Sequence, residues 1–151
     1  MRKYAIALSL CGAMWAQKYD GPRPPKKDMI YLVHADNLVP TESTDAKEEG
    51  KGNSTKYSVP GGTSSARTPL AEPIFLMQSD KLTPESLELY KFDVKGGRRE
   101  VDLGRSGKAL HVSVTRLERG LYRLEADEVL ENGEYALSPM GSSRVFCFEI
   151  Y

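Results

Sequence analysis

Leu130-Glu131-Asn132-Gly133-Glu134-Tyr135-Ala136-Leu137 is the stretch on which the fold of this chain turns. Its pattern, Leu-Glu-x-Gly-x-Tyr-x-Leu, also stands 13 residues earlier, from Leu117 to Leu124. Two copies at so short a period do not make a repeat architecture, so the content is local. A glycine lets the chain turn sharply into a strand. The tyrosine two residues later can fold back and donate its hydroxyl to a backbone carbonyl, while the flanking leucines face the core. The second copy follows the polar run Glu125-Ala126-Asp127-Glu128 and enters Tyr135-Ala136-Leu137-Ser138. It is therefore expected to form a corner, and the first copy a hairpin or bulge.

Downstream, Arg144 to Tyr151 alternates and should send Phe146, Phe148 and Ile150 into the core. Cys147, between two phenylalanines, reads as a small buried hydrophobe. Upstream, Met29–His34 and Ile74–Met77 are short apolar runs suited to buried strands. Leu38-Val39-Pro40 and Lys56–Val59 suit shorter extended pieces. Thr83-Pro84-Glu85-Ser86 suits a single helical turn. Leu87 to Val94 is expected as one strand with Tyr90, Phe92 and Val94 on one face. Gly96-Gly97 signals a hairpin, answered by Val101 and Leu103. Leu110, Val112 and Val114 alternate again. No stretch holds a helical period over three turns. Leu-x-x-Gly-x-Tyr resembles the tyrosine corner of Greek-key sandwiches. The expected class is all-β: a Greek-key (immunoglobulin-like) β-sandwich of about eight short strands.

The 151 residues favour one domain. Arg2 and Lys3 precede an uncharged apolar run, Tyr4 to Trp15, and charges resume at Lys18. That layout is a secretory signal over 1–16, too short for the ~20 apolar residues of a membrane span. Leu10 before Cys11 is too bulky for a good lipobox, so lipid anchoring is disfavoured. Residues 17–28, rich in proline, form an extended lead-in. Residues 29–151 form the domain, with a long polar loop region at 41–69. The expected location is secreted or periplasmic.

The ending from Gly120-Leu121-Tyr122 through Gly133-Glu134-Tyr135 to Val145-Phe146-Cys147-Phe148-Glu149-Ile150-Tyr151 resembles secreted bacterial β-sandwich proteins of unknown function. Those motifs are structural. The resemblance implies a sandwich-like fold and an envelope or secreted setting, and it carries over no catalytic residue.

The chain holds 21 basic and 21 acidic side chains. Losing Arg2 and Lys3 leaves it slightly acidic, which argues against nucleic acid as a partner. Losing Trp15 removes its only tryptophan. Only two histidines are present, His34 and His111. With Asp36 they form the one constellation that could serve a hydrolytic enzyme or a zinc ion, if the fold brings them together. No Gly-x-Ser-x-Gly elbow occurs. Pro60–Ser65 lacks the lysine of a phosphate loop. Asp45, Glu48 and Glu49 depart from the EF-hand order. No catalytic, cofactor-binding or metal site is assigned and no cofactor is expected.

The expected function is therefore non-catalytic: protein interaction or self-assembly at the cell envelope, through strand edges and including a homodimer. Carbohydrate binding is the alternative, with tyrosines as stacking surfaces. An enzyme using His34, Asp36 and His111 is the second alternative.

Overall fold

The computed structural model describes residues 18–105 and 107–151. The signal reading of 1–16, with Cys11, lies outside the described residues. Among those described, the chain forms fourteen strands. They are β1 (Ile30–His34), β2 (Asn37–Pro40), β3 (Glu42–Asp45), β4 (Lys47–Glu49), β5 (Lys56–Pro60), β6 (Arg67–Thr68) and β7 (Ile74–Gln78). Then come β8 (Leu87–Lys91), β9 (Asp93–Lys95), β10 (Arg98–Asp102), β11 (Val112–Glu118), β12 (Leu121–Ala126), β13 (Gly133–Pro139) and β14 (Arg144–Ile150). No helix among the described residues is long and apolar enough to cross a membrane.

The protein is all-β, with three sheets. The first runs β11-β12-β7-β1-β2, the second β3-β14-β13-β8 and the third β4-β5-β10-β9. Pairing within each is antiparallel, and the two-residue β6 joins the second sheet in parallel beside β14. The first two sheets pack face to face as a sandwich. Ile30, Leu32, Phe75, Met77 and Leu124 meet Leu87, Leu89, Leu137, Phe146, Phe148 and Ile150 in the main core. Phe148 joins the halves: its ring stacks on Tyr135 at 5.6 Å and meets Phe75 edge-on at 4.8 Å. Tyr135 donates its hydroxyl to the Glu131 carbonyl at 2.8 Å, the bond expected of the second Leu-x-x-Gly-x-Tyr copy. The first copy is the β11–β12 hairpin, with Gly120 at φ +77° and a register shift between Arg116 and Glu118. The Gly96-Gly97 turn joins β9 to β10, both glycines at positive φ.

The third sheet departs from the expected two-sheet sandwich of about eight strands. It packs on the other face of the second sheet, around Ala46, Val59, Phe92, Val101, Ala136, Val145 and Cys147. Strands β13 and β14 are thus buried on both faces. Their alternation divides large residues (Tyr135, Leu137, Phe146, Phe148) from small ones (Ala136, Val145, Cys147). The small face lets the third sheet approach closely.

Residues 41–55, expected as a loop, hold β3 and β4. Strand β3 crosses to β4 after one residue, Ala46, and β8 to β9 after one residue, Phe92. Both edge strands of the second sheet therefore run on into both edge strands of the third. The two sheets close on each other as a flattened barrel, with both corner residues pointing inward. The corner at Phe92 also corrects the single strand expected from Leu87 to Val94. Leu87 and Leu89 face the main core, Tyr90 and Phe92 the second, and Val94 is exposed. Leu103, expected inward beside Val101, is exposed as well.

Candidate functional site

The histidine constellation does not assemble. His34 and Asp36 are exposed at the β1–β2 turn. His111 precedes β11 and is also exposed, its Nδ1 against the Asp127 carboxylate. Strands β7 and β12 stand between the two sites, so three spacings of about 4.8 Å separate the histidines by ~14 Å. Ser113 also donates to Asp127, and the two contacts, the serine's first, hold that carboxyl below its usual range. Serine and histidine thus share one carboxylate, whereas a catalytic triad needs the serine on the imidazole. Among the described residues no three His, Cys, Asp or Glu side chains converge to hold a metal. That includes Asp45, Glu48 and Glu49. Glu49 instead lies beside Lys47 and Arg98.

The two ends of the flattened barrel differ. One is plugged by Arg99, which is completely buried. Its position follows from alternation on β10, where Arg99 and Val101 point inward. The guanidinium donates to Gly61 O at 3.0 Å, Pro60 O at 2.7 Å, Ser64 Oγ at 2.8 Å and the Glu42 carboxylate. Ser64 in turn donates from its hydroxyl, at 2.6 Å, and from its backbone N–H to Glu134. Burial pushes the Glu134 carboxyl above its usual range, against the pull of Ser64 and Arg99. Every arm of Arg99 is thus spent on the 60–64 segment and Glu42, so this network closes an end of the barrel.

The other end is open. A cleft of about 300 Å³ lies between the second and third sheets under the β13–β14 turn. Three strands supply its chemistry. Glu88 and Tyr90 are the alternate residues of β8 that turn away from the main core. Tyr57 comes from β5 and Glu48 from β4, paired across the third sheet. Phe92 and Val101 line the floor. The lip carries Leu103 and Met140, the latter 68% exposed. Tyr90 donates to Glu88, and burial, then that bond, raises the Tyr90 hydroxyl well above its usual range. The lining holds two carboxylates and no Lys, Arg or His. Among the described residues neither Glu48 nor Glu88 has a basic partner, although Glu42, Glu49, Glu100, Glu118, Glu131 and Glu149 do. Below the floor, Cys147 is fully buried, and burial pushes its thiol up to about 12.

Sequence reasoning did not identify this site. Glu48 appeared only in a pattern that departs from the EF-hand order, and Tyr90 only on one face of an expected strand with Phe92 and Val94. No local signal joins Glu48, Tyr57, Glu88 and Tyr90, because the two corners bring them together.

A third feature is the outer edge of β11. Leu110 exchanges backbone bonds with Leu89, so its polar groups point away from β12. By strand parity those of Val112, Val114 and Arg116 point the same way. Among the described residues no strand pairs along that stretch.

The chain matches no known family model, and neither the curated proteins nor the solved structures contain a match to it, so the reading of its function rests on this geometry.

Proposed function

We propose that the protein is an exported, non-catalytic interaction module that seats a segment of a partner protein in the open mouth of its barrel, at the cell envelope or outside the cell. The observation that carries this reading is the cleft: a formed, mostly apolar cavity with a few polar groups at one end of a rigid scaffold. The basic-then-apolar amino terminus supports export. The separation of His34 from His111 weighs against the enzyme alternative.

The test uses the protein immobilised in two forms, wild type and Ser143→Trp. Ser143 is exposed on the turn that lines the mouth, so a tryptophan there obstructs entry while the fold is kept. Solubilised envelope and culture medium are passed over both. A protein retained by the wild type and lost from Ser143→Trp supports the reading. Equal retention by both forms would remove the cleft from it, and no retained protein would count against protein binding altogether. Retained glycan without protein would favour the carbohydrate reading, for which Tyr57 and Tyr90 beside the two carboxylates offer stacking and hydrogen-bonding groups.

The free edge of β11 supports self-assembly as a second reading, by antiparallel pairing across a two-fold axis. Arg116→Pro removes one outward N–H. Sedimentation velocity should then show a wild-type dimer that this variant loses; a monomeric wild type at all concentrations would dispose of the idea.

A further inference from the structure

We infer that the cleft is built for a cationic side chain, a lysine or arginine projecting from the partner segment. The inference rests on the reading of the cleft as a protein-binding site and names the chemistry it selects.

Three observations converge. The lining carries two carboxylates and no basic group. Neither carboxylate has a cationic partner among the described residues, although each lies within a few residues of a cation that is paired elsewhere, Lys47 with Glu49 and Lys91 with Glu131. Glu88 is half-buried and Glu48 exposed, so the recess is negative without a counter-charge of its own, and a cation entering it is attracted by both. Next, Tyr57 and Tyr90 stand beside Glu48 and Glu88, so aromatic faces and carboxylates share the recess. A cation is attracted to both, through the ring quadrupole and through charge-assisted hydrogen bonds. Finally, apart from the serines of the β13–β14 turn region, the rest of the lining is apolar, with Phe92, Val101 and Val145 below and Leu103 and Met140 at the lip. That combination suits a side chain with an aliphatic stem and a charged head.

Glu88 is also pre-oriented. The Tyr90 hydroxyl donates to one of its oxygens, Oε2, and Oε1 remains for a ligand. A bidentate guanidinium or a single ammonium can both be accepted in such a setting. A neutral sugar would leave the carboxylates without counter-charge, and an anion would be repelled by them.

The experiment is a titration of the isotopically labelled protein, followed by amide NMR shifts. The probes are the capped peptide acetyl-Gly-Gly-Arg-Gly-Gly-amide, the same peptide with citrulline (the neutral isostere of arginine), n-butylguanidinium and methyl glucoside. The arginine peptide should shift amides around the cleft and bind at least about fivefold more tightly than the citrulline peptide. Raising salt from about 0.05 M to 0.5 M should weaken it. The double variant Glu48→Gln, Glu88→Gln keeps the shape of the cleft and should lose the preference for arginine over citrulline. Its unchanged spectrum elsewhere reports that it is folded.

Equal binding of arginine and citrulline peptides, or a preference that survives in the double variant, overturns the inference while leaving the cleft a binding site. Binding of methyl glucoside alone overturns it in favour of sugar. Tighter binding of n-butylguanidinium than of the arginine peptide overturns the protein-borne source in favour of a small amine-like ligand. Absence of any shift at the cleft overturns the cation. The protein-binding reading itself stands or falls separately, on retention by wild type against Ser143→Trp.

Discussion

At the scale of single residues, the most informative side chains are polar ones placed by alternation. Arg99 sits where β10 turns inward, and its donors are spent on Pro60, Gly61, Ser64 and Glu42. Truncating it leaves the Glu42 carboxylate without its cation and a cavity beside Ser64. Arg99→Ala should cost about 3–5 kcal/mol, the range for breaking a buried ion pair, read as a lowered urea midpoint. Asp28 illustrates the opposite pKa direction from Glu134. It adopts φ +55°, and its carboxylate accepts the backbone N–H groups of Asp80, Lys81 and Leu82 at 2.8–3.1 Å. Burial alone would raise its pKa, but the three N–H donors together outweigh that and lower it. A carboxyl with a depressed folded pKa contributes stability above its unfolded value, near 4, and loses it as pH falls through the folded value. Asp28→Asn should therefore lower Tm at pH 6 and flatten its fall below about pH 4. An unchanged acid limb in that variant would refute the assignment. Cys147 should stay unalkylated by iodoacetamide in the native protein and react once denatured, as peptide mapping would show, because its buried thiol titrates far above neutral.

Among the elements, β13 and β14 carry most of the architecture, and they were also the most legible. Phe146, Phe148 and Ile150 alternate strongly, and Leu130-x-x-Gly-x-Tyr135 marks the turn that leads into β13. What alternation concealed is that the opposite face is buried too. Ala136, Val145 and Cys147 carry no charge, and that was the available signal for a second core. Strands β3 and β4 were illegible for a different reason. Glu-Ser-Thr-Asp and Lys-Glu-Glu contain no apolar residue, and their pairing is made by backbone groups with β14 and β5. Ala46 alone faces inward between them, too small to register as a periodic signal. The cleft inherits this blindness, since Glu48 lies on β4. Phe148→Ala should cost about 3–5 kcal/mol, because the ring fills the junction of Tyr135 and Phe75 in the main core. Denaturant titration would measure it.

For the molecule as a whole, the second sheet is a wall shared by two cores. Neither core keeps its boundary if β13 and β14 separate. Unfolding should accordingly be a single transition, with coincident midpoints by far-ultraviolet circular dichroism and tyrosine fluorescence. Separate midpoints would mean that the third sheet melts as its own unit.

The plug at Arg99 has a consequence for whatever enters the opposite mouth. Glu134, Ser64 and the 60–64 segment make the barrel a blind socket, open at one end only. A guest chain cannot be threaded through it; it must enter and leave on the same side. Such a socket reads the tip of a protruding loop or one long side chain, and is indifferent to the sequence that a through-channel would sample. The short Pro139–Ser143 rim then sets the size of what can enter, so grafting a different turn there would change the width of the mouth without touching either core or the carboxylates inside.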